Sequence, residues 1–410
     1  MFGIVKFKKL LETLTNEKDY TAFFAGMGSK YTITANPDVI TSLYANRDVT
    51  RSEAARRFVE HVGAVDGLVS QDDYKASIKR PILQKHFKTS KYFKHADKLV
   101  EQVALDIQSH KSGDINIHTV LFDNIGLFFI ERLLGVNLTE YQKKHLLSLR
   151  LFHNDRSFDT PFVKTFFVNL FSFTPKPLKH LLDSDVIERH AKLDAAALYI
   201  LEQCTHTSNG CLAELKQAAD EGKLTHRDVI GECKMLLINA SSLSVSIAWA
   251  VYCVAKHPEH IEKLLQSDNY SKLAFMEVLR LYPPFYILSY EQKSKCPFHF
   301  GSNKTLVSVS AAHRVPEYWA NPEKFDPSRF SQGLAKIKKG SYIPFGGGMR
   351  SCPGSGVAMM LGPLLLKSIF TSFKVVVNSE PVVKRRVELL PLHNKLDLSF
   401  FDLNNAQLVK

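Results

Sequence analysis

Residues 345–354 place the strongest constraint on this chain. One cysteine, Cys352, is framed by Phe345, three glycines (Gly346, Gly347, Gly348), Arg350 and the pair Pro353-Gly354. Glycine has no Cβ, so backbone here can close on a flat group. The apolar stretch Val357–Leu361 reads as the start of a helix. A thiolate just before a helix N-terminus is stabilised by the dipole and by unpaired N–H groups.

A haem iron with an anionic cysteine ligand is pushed toward O–O cleavage, and Arg350 is placed to neutralise a haem propionate. The run resembles the cysteine-ligand loop of the cytochrome P450 family, Phe-Gly-x-Gly-x-Arg-x-Cys-x-Gly, with every specified position matched. The resemblance implies haem b, with Cys352 as its metal ligand and Phe345, Gly346, Arg350 and Gly354 around it. It also implies a mainly α cytochrome P450 fold, a large helical domain with small β-sheets, spanning 1–410 as a single domain.

Two further motifs follow in the family's order. Glu277 and Arg280 stand one helical turn apart, where they pair on one face. The segment from His313 through Trp319 leads into Asn321–Phe330. The resemblance joins Arg329 to Glu277 and Arg280 in a buried structural network behind the thiolate loop.

Residues 76–87 resemble the family's Trp-x-x-x-Arg helix. That puts Arg80 at a propionate-binding position and Ala76 where an aromatic residue or histidine is common. Tyr74 is close enough in sequence to substitute. Where the family carries another propionate arginine, after Pro283-Pro284, this chain has Tyr290. Anchoring then leans on Arg80, Arg350 and polar neighbours such as His313, which is either a haem contact or a structural histidine.

The apolar helix from Ile230 to Lys256 corresponds to the distal helix. Ordinary monooxygenases read Ala-Gly-x-Asp/Glu-Thr there; this chain reads Ile238-Asn239-Ala240-Ser241-Ser242. Ser241 stands for the acid, Ser242 for the threonine and Asn239 for the glycine, so these three are the candidate catalytic residues. The acid–alcohol pair delivers the protons that heterolytic O–O cleavage needs. Ser242 keeps a hydroxyl, but Ser241 cannot act as a carboxylic acid. Water and substrate hydroxyls could take over, giving hydroxylation with O2 and a reductant, or the acid's loss could simply slow that reaction. Peroxide-driven oxidation, rearrangement of a substrate's own O–O bond and radical phenol coupling stay open. So does a haem-binding protein without turnover.

Residues 152–173 are crowded with aromatics (Phe152, Phe158, Phe162, Phe166, Phe167, Phe171, Phe173). In the family this region forms lid helices. Apolar walls suit a small hydrophobic, aromatic or phenolic ligand, such as a secondary metabolite. Residues 60–70 match the loop usually over the haem, making Val62, Val65, Leu68 and Val69 candidate wall residues. Ile238 and Phe285 complete the candidate substrate pocket.

With 410 residues, 45% of them apolar, the chain can bury a large core. Its net charge of +12 suits an acidic partner, and no nucleic-acid signature accompanies it. The resemblance implies a ferredoxin or similar electron donor, docking on Lys75, Lys79, Lys85, Lys88, Lys336, Lys338 and Lys339. The six cysteines lack C-x-x-C spacing, so a reduced, cytoplasmic setting is expected. The N-terminal residues hold neither a spanning run nor a signal peptide, so a soluble, monomeric protein without a transmembrane anchor is expected. Helices are predicted over 96–110, 117–136, 187–204, 227–257 and 356–373, with strands near 31–34 and 305–310. Leu361-Gly362-Pro363 predicts an interruption in the last helix.

Overall fold

The computed structural model describes residues 14, 20–26, 29–52, 63, 66–71, 74–88, 93–110, 115–149, 151, 184–205, 209–292, 303–381 and 396–403. Val62, Val65, Cys296 and the aromatic-rich segment 152–173 lie outside them.

The described elements are, in chain order, β1 (Thr21–Gly26), β2 (Ser29–Thr34), α1 (Pro37–Ala45), β3 (Val49–Arg51), α2 (Tyr74–His86), α3 (Phe93–Ser109) and α4 (Ile117–Phe129). They continue with α5 (Glu140–Ser148), α6 (Ser184–Glu202), α7 (Cys211–Asp220), α8 (His226–Lys256), α9 (Ile261–Gln266) and α10 (Asp268–Leu281). The last are β4 (Ile287–Gln292), β5 (Asn303–Ser308), α11 (Val309–Ala312), α12 (Ser355–Ser372), β6 (Phe373–Val377) and β7 (Leu398–Asp402). A π-helical turn, Ile130–Leu134, prolongs α4.

Helix α8 is the axis of the core. Thr225 caps it: its hydroxyl accepts from Asp228 N, and Asp228 Oδ2 accepts from Thr225 N at 2.8 Å. His257-Pro258 follow its last residue. It is apolar and buried nearly all round, as a helix enclosed by other helices must be. It packs on α4, α6, α10 and α12. Trp249 of α8 stacks on Tyr282 at the end of α10, with centroids 4.3 Å apart and planes 7° from parallel. Helix α8 is also long and apolar enough to cross a bilayer, but 89% of its apolar window is buried in the fold, so it is a core helix.

The main sheet runs β1-β2-β5-β4-β3, with β2 and β5 parallel and the other neighbours antiparallel. Strands β6 and β7 form a separate antiparallel pair.

The predicted break at Pro363 does not occur. Helix α12 runs through it from Ser355 to Ser372. A side chain at Gly362 would run into the Phe275 ring, so the glycine serves the close approach of α10 to α12. Strand β5 also ends earlier than predicted. Ser308 turns the chain into α11 by accepting from Ala311 N at 3.3 Å.

Candidate active site

The thiol of Cys352 sits on a loop wound tightly ahead of α12. Cys352 N donates to Phe345 O at 2.9 Å, and Gly346 N donates to Ile343 O at 3.0 Å. Gly346 and Gly348 have φ of +67° and +61°, a region costly for other residues. A Cβ on Gly348 would also collide with Tyr44 O, so the glycines let α1 press on the loop. Cys352 is exposed as a residue, while the protein packed around its thiol desolvates it. That crowding raises the thiol pKa, opposed by the N–H groups of Gly354 and Ser355 and by the charges of Arg51 and Arg80. A metal that binds there displaces the proton.

Behind the loop lies a buried polar network. Glu277 and Arg280 are both fully buried and paired twice, at 2.7 and 2.8 Å. Arg280 also donates to the carbonyls of His313 (2.9 Å), Pro322 (2.7 Å) and Lys324 (3.2 Å). Glu277 Oε1 accepts from Asp326 N at 2.9 Å and from Arg329 Nε at 3.3 Å. Every strong valence of the buried pair is thus used, which such a pair requires.

His313, expected as either a haem contact or a structural histidine, is fully buried behind the loop and bonded on both ring nitrogens. Its Nδ1 faces Arg280 O at 3.1 Å, and its Nε2 accepts from Ile343 N at 2.8 Å. Both ring nitrogens are consumed by backbone. Burial and then the Arg280 charge push its pKa down to about 3, so the ring is neutral. Tyr342 stacks on it and donates to Met276 O at 2.9 Å.

Arg80 reaches the loop from α2, donating from Nη1 to Ser351 O at 3.1 Å. Arg350 is half-buried in the turn Gly348–Arg350. Tyr74 does not replace the aromatic residue missing at Ala76. Ala76 is buried, whereas Tyr74 is 68% exposed on another side of α2. Lys79 is also misplaced on a docking surface. It is fully buried, 3.2 Å from Asp228 Oδ1 and 3.4 Å from Glu232 Oε1, and its ammonium donates to Asp66 O. Lys75 is drawn into the same cluster, 2.9 Å from Asp228 Oδ2. Lys85 is paired with Glu214 and Lys338 with Asp38. Lys88, Lys336, Lys338 and Lys339 are exposed.

On α8, Ser241 is buried, Ser242 half-buried and Asn239 exposed. Ser244 Oγ donates to Ala240 O at 2.7 Å and Ser246 Oγ to Ser242 O at 3.0 Å. Such back-bonds occupy carbonyls within the helix, which runs unbroken from His226 to Lys256. Leu68 and Ile238 belong to one buried cluster, against which Val69 packs; Phe285 is half-buried beyond α10. Leu68 N donates to Glu232 Oε1 at 2.5 Å, tying its loop to α8. Burial pushes the Glu232 carboxyl up to about 7 against the pull of Lys79. Burial would raise Asp228 too, but hydrogen bonds from Thr225, Gln71 and Lys75 hold it well below the usual carboxylate range. This clamp was invisible in the sequence, because Lys79 and Glu232 meet only through tertiary packing.

These residues fit a haem. The site offers a thiol on a tightly wound loop, the Arg51 and Arg80 charges near it, and glycine backbone at the sulfur, where a Cβ at Gly354 would stand 3.8 Å from Cys352 Sγ. A model of the cytochrome P450 family matches residues 7–398. The fold is similar to that of CYP175A1 from Thermus thermophilus, with a TM-score of 0.72 and 18% identity over 97% of this chain and 95% of that one. Thromboxane-A synthase of Rattus norvegicus is 28% identical over 190 residues, 40% of this chain and 36% of that protein. Cytochrome P450 4A14 of Rattus norvegicus is 32% identical over 165 residues, 34% of this chain and 32% of that protein. Taurochenodeoxycholic 6 alpha-hydroxylase of Sus scrofa is 32% identical over 143 residues, 29% of this chain and 28% of that protein. The alignments thus span about a third of these relatives' lengths. The chain belongs to the cytochrome P450 family, whose cofactor is haem b.

Proposed function

We propose that this protein is a haem-thiolate monooxygenase that hydroxylates a small hydrophobic or aromatic metabolite with O2 and external reductant. The observation that carries this reading is the Cys352 thiol, held by a loop locked to the Glu277–Arg280 network. Cys352 would hold the haem iron, and Arg80 and Arg350 would face the propionates. Haem bound there supplies oxygen activation at an iron whose thiolate ligand favours O–O cleavage. The hydroxylase among the relatives supports the reaction class.

The chain's own residues narrow the proton supply. Ser242 offers a hydroxyl and Ser241 a second, with no carboxylate at either position. Neither can release a proton to the solvent near neutral pH, so each works as a relay for water or for a hydroxyl on the substrate. A phenol would bring such a group itself, and this favours a second reading, radical oxidation of a phenol leading to coupling.

Electrons would come from an acidic ferredoxin-like donor. Unbridged cysteines throughout the described residues suit a reduced, cytoplasmic compartment. The test is consumption of candidate substrates chosen by their Soret shifts, run with NAD(P)H and a reductase chain or with peroxide. Reductant-dependent gain of one oxygen is expected. Peroxide-only turnover, dimer formation without oxygen gain, or no turnover at all would each overturn the hydroxylase reading.

A further inference from the structure

Haem b carries two carboxylates, and two anions drawn into a protein need cationic donors. The residues around Cys352 supply more positive charge than the sequence motifs account for. Arg51 is the last residue of β3 and pairs directly across the ladder with Tyr290 of β4. The next residue keeps the strands together, with Ser52 N donating to Ser289 O at 3.3 Å and the two serine hydroxyls 2.5 Å apart. Directly opposed residues of an antiparallel pair project from the same face.

Tyr290 shows where that face looks. Its hydroxyl donates to Tyr44 Oη at 3.4 Å. It also stands 3.8 Å from the point where a Cβ on Gly346 would lie, with Arg350 O at 3.9 Å from the same point. The half-buried Arg51 therefore projects toward the cysteine loop beside Tyr290. Arg80 already gives one N–H to Ser351 O, which leaves it fewer donors for a carboxylate.

We propose that Arg51 is a haem-propionate anchor, acting with Arg80 and Arg350 in the space that an arginine at position 290 would otherwise fill. The proposal rests on haem binding at Cys352. A guanidinium suits the role because its planar fork meets a carboxylate through two parallel hydrogen bonds.

The test is the rate of haem transfer from the holoprotein to apomyoglobin. Arg51→Gln should release haem roughly tenfold faster or more, since a charge-assisted hydrogen bond is worth a factor of that size. Arg51→Lys should fall between the two. Adding Tyr290→Arg to Arg51→Gln should restore slow release. Reconstitution with haem dimethyl ester, which has no carboxylates, should abolish the difference between wild type and Arg51→Gln. Equal release by wild type and Arg51→Gln would overturn the proposal. So would a difference that persists with the ester, or one that Tyr290→Arg leaves unrescued, because either assigns Arg51 to holding β3. A wild-type chain that takes up haem without a thiolate-type spectrum would instead overturn ligation by Cys352, leaving the release rates to judge Arg51 separately.

Discussion

His313 Nε2 accepts the N–H of Ile343 at 2.8 Å while Nδ1 meets the carbonyl of Arg280 at 3.1 Å. One neutral imidazole thereby bridges the buried ion pair of α10 to the strand of chain that enters the cysteine loop. With one nitrogen donating and the other accepting, a single tautomer serves both partners.

This bridge makes the protein sensitive to acid. The folded imidazole stays neutral down to about pH 3, whereas an unperturbed one takes up a proton near 6.5. Between those values the unfolded chain binds more protons, so stability falls as pH drops through that window. Urea midpoints of the holoprotein should fall between pH 7 and pH 4. His313→Gln, which does not titrate, should lower the midpoint at pH 7 and flatten this slope. Parallel pH profiles for the two proteins would remove the role.

The Glu277–Arg280 pair should be costly to break from one side. Arg280→Met leaves a fully buried carboxylate and three carbonyls without their donor, and a loss of about 3–5 kcal/mol is expected. Denaturant unfolding of the holoprotein measures it. A change under about 1 kcal/mol, typical of a solvated pair, would contradict the network's structural role.

The cysteine loop and the Glu277–Arg280 pair were legible because each is a short run whose spacing alone brings its atoms together. Arg329 became legible through the order of motifs. Tyr74 and Lys79 misled for the opposite reason. Two residues along a helix turn the side chain by about 200°, so proximity to Ala76 in sequence put Tyr74 on the wrong face. Lys79 looked like a surface charge because its partners, Asp228 and Glu232, are on a distant helix. Arg51 had no motif at all. Its relation to Tyr290 exists only in the strand pairing.

Electron delivery should depend on salt. The exposed Lys88, Lys336 and Lys339 are the candidates for meeting an acidic donor, and exposed charges are screened over about 8–10 Å at physiological ionic strength. Reduction by an acidic ferredoxin should slow as salt rises, and the double change Lys336→Glu with Lys339→Glu should slow it at low salt. Stopped-flow reduction rates that ignore both changes would exclude docking there.

The relay reading predicts separable effects on α8. Ser242→Ala should lower coupled turnover by roughly 100-fold or more while leaving the substrate-induced Soret shift intact. Ser241→Asp should divert less oxygen to peroxide. A phenol blocked as its methyl ether should bind but not turn over if its hydroxyl serves the relay. Unchanged turnover of the ether together with an inert Ser242→Ala would exclude both the relay and the coupling reading.

The central claim is that Cys352 ligates the haem iron, and the absorption spectrum of the reduced protein under carbon monoxide tests it most directly. The wild-type protein should show the red-shifted Soret band of thiolate ligation, and Cys352→His should lose it while still holding haem. A wild-type protein without that band, or a Cys352→His variant that keeps it, would contradict the assignment.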